Sequence, residues 1–127
     1  MLERLSSQNA PKAIGSYSPA SRIDNLIFTS GQLGLDPVTG KLAGESIEQQ
    51  ATQSMKNLKA ILEDNGSSLE KIVKTTVYLG NIAEFAEFDK VYQQFFTGAY
   101  PARTAFQVGA LPLNAKVEVE VVAVIEG

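Results

Sequence analysis

Apolar and polar positions follow two rhythms along the chain. A period near 3.6 runs from Ser46: Ile47, Ala51, Met55, Leu58, Ile61 and Leu62 make one apolar stripe. Ser46 with Gln49 three residues on is a capping-box pattern, and Asn65-Gly66 is a helix stop. A second helix is predicted from near Asn81, with Glu84 three residues later. Its stripe is Phe85, Phe88, Tyr92, Phe95 and Phe96, and Gly98 ends it. Elsewhere the period is two. Residues 16–22 suggest a short first strand, and Asn25 to Leu33, stopped by Gly34, a second. "DPVTGK" (Asp36–Lys41) is turn chemistry throughout. Lys71–Gly80, Arg103–Val108 and Lys116–Ile125 complete the strands.

Two helices on a mixed β-sheet make an α+β layer. In the last strand, Val117, Val119, Val121, Ala123 and Ile125 share one face, and Lys116, Glu118, Glu120, Val122 and Val124 the other. Its second half is apolar on both sides and needs cover on both sides. The helices are expected over the Phe106/Val119 face. The opposite face would then carry Arg103, Ala105, Glu118, Val122 and Val124. No element is left to cover that face, so a second copy of the chain is expected there. Arg103, alone at the start of its strand, is open to three readings: a solvated charge, a structural ion-pair partner, or an anion clamp.

The 127 residues suit one domain, and no apolar run reaches the length of a membrane helix. "MLERLSSQNAPKA" lacks the apolar core of a signal peptide, so a cytoplasmic location is expected. The net charge of −3 counts against nucleic acid as a partner. With no cysteine and no histidine, thiolate nucleophiles, Ser-His-Asp triads and Cys/His metal sites are excluded. Catalysis here has to rest on carboxylates, Arg, Lys, Tyr, Ser/Thr, backbone groups and water, with no cofactor or metal expected.

"AIGSYSPA" (Ala13–Ala20), "IFTSGQLGLDPVTG" (Ile27–Gly40), "KTTVYL" (Lys74–Leu79), "YPART" (Tyr100–Thr104) and "VEVEVVAV" (Val117–Val124) stand in this order. Together they resemble the Rid family, also called YjgF, from about Asn9 to Ile125. The resemblance implies a chorismate-mutase-like α+β fold. It implies a homotrimer with a central barrel of sheets and clefts between subunits. It further implies hydrolysis of 2-enamine and 2-imine acids (2-aminoacrylate, 2-iminopropanoate, 2-iminobutanoate) to 2-oxo acids and ammonia.

By that resemblance Arg103 grips the substrate carboxylate and Glu118 positions the attacking water. Tyr17 lines the cleft, and Ser30 and Gly31 approach the ligand. Phe85 borders the cleft or packs in the core. Glu120 is expected to be structural. Two positions depart from the family pattern: Ala105, where many members have Cys or Ser, and Asp89, where Asn is frequent. Asp89 would add an anion, to be paired by Lys90 or Lys74. Two other functions stand beside the deaminase. One is a trimer that binds small carboxylates as a regulatory or chaperone-like module. The other is a ribonuclease, against which the acidic balance and absent histidine count.

Overall fold

The structure, a computed structural model, describes residues 1–125. Its strands are β1 (Leu2–Leu5), β2 (Ala20–Ile23), β3 (Leu26–Thr29), β4 (Gln32–Leu33), β5 (Ile72–Leu79), β6 (Ala102–Gln107) and β7 (Val117–Val124). The helices are α1 (Ile47–Asp64) and α2 (Phe85–Gln93). The strands form one mixed sheet in the order β1-β2-β3-β7-β5-β6, with β4 continuing the β3 side of β7. Only β5 and β6 are paired in parallel among these strands.

Both helices lie on one face of the sheet, as their apolar stripes require. Met55, Leu58, Ile61 and Leu62 of α1 are fully buried against Val117, Val119, Val121 and Ala123 of β7. Burying each such side chain contributes about 1.5–3 kcal/mol. The α1 start is the expected capping box: Gln49 N–H donates to Ser46 Oγ at 3.1 Å, and Ser46 N–H to Gln49 Oε1 at 3.3 Å. Asn65 caps its end, and Gly66 has φ +85, a backbone conformation that glycine adopts without steric cost.

The expected strand at 16–22 is corrected. Residues 16–19 are loop, held by Ser30 N–H donating to Pro19 O at 2.9 Å. β2 begins at Ala20 and pairs with β1, which the sequence reading lacked. The expected strand over Asn25–Leu33 is divided in two. From Phe28 to Gln32 the chain advances four residues while its partner passes only from Val122 to Val119. The extra residue is a bulge at 29–31. There Thr29 Oγ1 accepts from Val121 N–H at 3.0 Å in place of a backbone carbonyl. The second helix begins later than Asn81. Asn81 Oδ1 accepts from Ala83 N–H over a short 3₁₀ turn (Ile82–Glu84), and α2 itself stops at Gln93. Phe95 and Phe96 follow in a tightened turn.

The face assignment also changes. β5 lies between β6 and β7, and residues directly opposite in neighbouring strands share a face. Thr75 pairs with both Arg103 and Val121, whereas Tyr78 pairs with both Phe106 and Glu118. Arg103 and Ala105 therefore look towards the helices, and Phe106 towards the open face. The uncovered face carries Phe28, Tyr78, Phe106, Glu118, Glu120, Val122 and Val124. Phe28 and Phe106 are 44% and 43% exposed there.

Candidate active site

The sheet holds two clusters of candidate residues. The first surrounds Glu118 on the open face. Pro11, Ile14, Tyr17, Ser30, Gly31 and Glu118 are among the residues lining a cleft of about 360 Å³. The bulge after β3 makes this cleft. Ser30 Oγ donates to Ser18 O at 2.6 Å, which ties the bulge to the loop carrying Tyr17. The Tyr17 hydroxyl accepts from Ile14 N–H at 3.4 Å, and its ring is half exposed. Gly31 sits against the Glu118 side chain: a Cβ there would stand 2.6 Å from Cδ and 2.8 Å from Cγ. The glycine is what permits the carboxylate to lie over the bulge. Burial, then the neighbouring Glu120 charge, pushes the Glu118 carboxyl above its ordinary value of 4.5. Glu120 itself is engaged: the Tyr78 hydroxyl donates to its Oε1 at 2.8 Å, and that bond pushes Tyr78 up to about 12.

Two polar side chains on the buried side of α1 hold this region from beneath. Asn57 Nδ2 donates to Leu35 O at 2.9 Å and to Leu33 O at 3.2 Å. Gln50 donates to Gly44 O at 3.0 Å and accepts from Lys116 N–H at 2.8 Å, which fixes the entry to β7. Sequence reasoning missed both. The signal was two amides on the inner side of a helix, where a buried polar group needs partners.

The second cluster surrounds Arg103 on the helix side of edge strand β6. Its guanidinium lies 5.1 Å from the Phe85 ring centre and 4.8 Å from that of Tyr92. Tyr92 is fixed in turn by donating to Thr75 Oγ1 at 2.9 Å in the core. Arg103 Nη1 donates to Asp89 Oδ1 at 2.7 Å, and Gln93 Nε2 to Asp89 Oδ2 at 3.1 Å. Asp89, Tyr92, Gln93, Tyr100, Pro101 and Arg103 line one cleft. Burial opposes the Asp89 charge, but the hydrogen bonds from Arg103 and Gln93 outweigh it and hold its carboxyl below the ordinary value.

Of the three readings of Arg103, the ion-pair partner is therefore realised within the chain. The expected partners of Asp89, Lys90 or Lys74, give way to Arg103. Lys74 Nζ donates instead to Thr104 Oγ1 at 2.8 Å on the other face. Phe85 borders the Arg103 cleft while also packing against the core.

Arg103 and Glu118 do not meet within one chain. They lie on opposite faces, two strands apart, which is about 10 Å laterally. Tyr17, Ser30 and Gly31 gather with Glu118; Phe85 gathers with Arg103.

The sequence matches the profile of a family described as Endoribonuclease L-PSP over residues 7–125. The chain belongs to this family, the one also called Rid or YjgF. Among Rid relatives, the chain is 46% identical over 121 residues to Reactive Intermediate Deaminase A, chloroplastic, of Arabidopsis thaliana. That match covers 95% of this chain and 65% of that protein's length. It is 43% identical over 120 residues to the 2-iminobutanoate/2-iminopropanoate deaminase of Mus musculus, covering 94% of this chain and 89% of that one. The crystal structure of Escherichia coli TdcF with bound serine superposes with a TM-score of 0.93 at 37% identity, covering 98% of this chain and 99% of that one. Among the described residues no helix is long and apolar enough to cross a membrane.

Proposed function

We propose that this Rid chain is a cofactor-free hydrolase of 2-imino and 2-enamino acids, working in a homotrimer at clefts between neighbouring subunits. The observation that carries the reading is the division of the candidate residues. A stacked guanidinium sits on one face of the sheet and a partly buried carboxylate on the other, so a cleft holding both needs two copies of the chain. The exposed Phe28 and Phe106 on the open face suit a surface covered by such a copy. Relatives named as imine deaminases, and a serine-bound relative, supply the substrate class: small amino-acid-like compounds.

In this reading the substrate carboxylate takes the N–H groups of Arg103 left free by Asp89. The protonated imine carbon faces a water held by Glu118. As the C–O bond forms, the C=N π pair moves to nitrogen and the water proton goes to Glu118. Glu118 then gives that proton to the carbinolamine nitrogen and takes the hydroxyl proton as the oxygen electrons form the C=O bond. The C–N bond breaks, ammonia leaves with the 2-oxo acid, and the proton on Glu118 passes to ammonia or water, restoring the carboxylate. Tyr17 offers a phenol beside the water. Holding both reactants is the main contribution, and orientation of this kind lowers barriers by about 7–11 kcal/mol in the best models.

The test generates 2-iminopropanoate from serine with a pyridoxal-phosphate dehydratase, traps it with semicarbazide, and adds this protein. Wild type should speed imine loss, and Arg103→Ala should not, while its circular dichroism and oligomeric state stay as in wild type. If wild type has no effect on several imines yet binds small carboxylates, the regulatory reading replaces the enzyme.

A further inference from the structure

The Arg103 cleft is not a simple anion site. Its guanidinium already donates to Asp89 at 2.7 Å, and both side chains are partly buried, 24% and 29% exposed. Asp89 is held in place from its other oxygen by Gln93 and kept ionised by these bonds. The cleft lined by Asp89, Tyr92, Gln93, Tyr100, Pro101 and Arg103 thus brings one positive and one negative group to its wall. Among the described residues, Arg103 is the one cation lining it.

A bare carboxylate entering this cleft gains the free N–H groups of Arg103 but meets the Asp89 charge beside them. At the reduced effective dielectric of a partly buried site, that repulsion is substantial. A ligand with a cation next to its carboxylate turns the repulsion into attraction. Its carboxylate faces Arg103 while its ammonium or iminium donates to the lone pairs Asp89 leaves unused.

We infer that Asp89 makes this cleft selective for zwitterions, 2-iminium and 2-amino acids, over 2-oxo acid monoanions. The inference rests on the deaminase reading and extends it to specificity. The protonated substrate is a zwitterion and the product a monoanion, so Asp89 disfavours the product that hydrolysis leaves behind. Specificity of this kind comes as much from the penalty on the wrong ligand as from contacts with the right one.

The test is calorimetric titration of wild type, Asp89→Asn and Asp89→Glu with 2-aminobutanoate and with 2-oxobutanoate, at pH 7.5 and low salt. Wild type should bind the amino acid more tightly. Asp89→Asn should tighten 2-oxobutanoate about tenfold and weaken 2-aminobutanoate, while Asp89→Glu should keep the wild-type order. Thermal melts of the three proteins check that each is folded. Equal changes for both ligands, no change for either, or a Glu variant behaving like Asn would each overturn the inference. So would a wild type that binds neither ligand. The deaminase reading is judged separately, by imine turnover of wild type alone.

Discussion

Replacing Gly31 by alanine separates the position of Glu118 from the stability of the fold. The new Cβ would stand 2.6 Å from Glu118 Cδ, 2.8 Å from Cγ and 3.0 Å from Oε1. Ordinary contact begins near 3.4 Å, so the carboxylate must retreat by about 0.8 Å. The atoms in the way end a flexible side chain, and Gly31 has no positive φ, so the backbone need not move. An off-rotamer Glu118 costs about 0.5–1.5 kcal/mol, a fall in melting temperature of roughly 2–6 °C. The chemical cost is larger, because misplacing a reacting group by about 1 Å lowers a rate about 100-fold. The coupled imine assay and a thermal melt read the two effects on one sample. Gly34→Ala is the contrast: its Cβ would meet the Gln50 backbone, with Cα at 2.7 Å, so stability should fall by about 1–3 kcal/mol or more. Gly31→Ala activity within about threefold of wild type would refute the account of Glu118.

Three further outcomes follow from the geometry. Tyr92→Phe removes the donor to Thr75, which is fully buried, and should cost about 1–3 kcal/mol in chemical denaturation; an unchanged midpoint would show that Thr75 finds another partner. Glu118→Gln should stabilise the chain at pH 7, because burial and the Glu120 charge disfavour the ionised carboxylate in the folded state. The folded carboxyl lies above 4.5, so the unfolded chain ionises first as pH rises, and wild-type stability is lost above that value. The gap between the two proteins should close below about pH 4, and an equal gap at both ends would exclude this cause. Ser54→Ala deletes a buried hydroxyl that has no hydrogen-bond partner among the described residues, in the interior of α1. It should raise the melting temperature, with a gain of about 0.5–1.5 kcal/mol; a loss would mean that the hydroxyl is satisfied.

What the sequence made legible is what local chemistry determines. Ser46 with Gln49, Asn65-Gly66 and the valines of β7 act over a few residues, and each element stands where those signals put it. β1 escaped notice because "LERL" is a four-residue edge strand with too little alternation to register. The aromatics of the second helix keep helical spacing through Phe96, although α2 stops at Gln93, because a tightened turn there mimics the period. Alternation alone puts Arg103 on the same face as Glu118, and the fold puts them on opposite faces. Alternation gives each strand two faces but does not say which faces coincide. That depends on β5 lying between β6 and β7, a pairing across distant segments. The partner of Asp89 was missed for the same reason, since α2 meets β6 only in the folded chain. Gly31 was legible as a close-approach residue, but what approaches it, Glu118, was visible only in the fold.

The central claim is that Arg103 and Glu118 act together although no single chain brings them together. Complementation tests it most directly. Arg103→Ala and Glu118→Gln should each be inactive alone. Unfolded, mixed in equal amounts and refolded, they should recover roughly a quarter of wild-type imine hydrolysis, the share of interfaces that pair an intact Arg103 with an intact Glu118. Mixtures that assemble into mixed oligomers and stay inactive would contradict the claim.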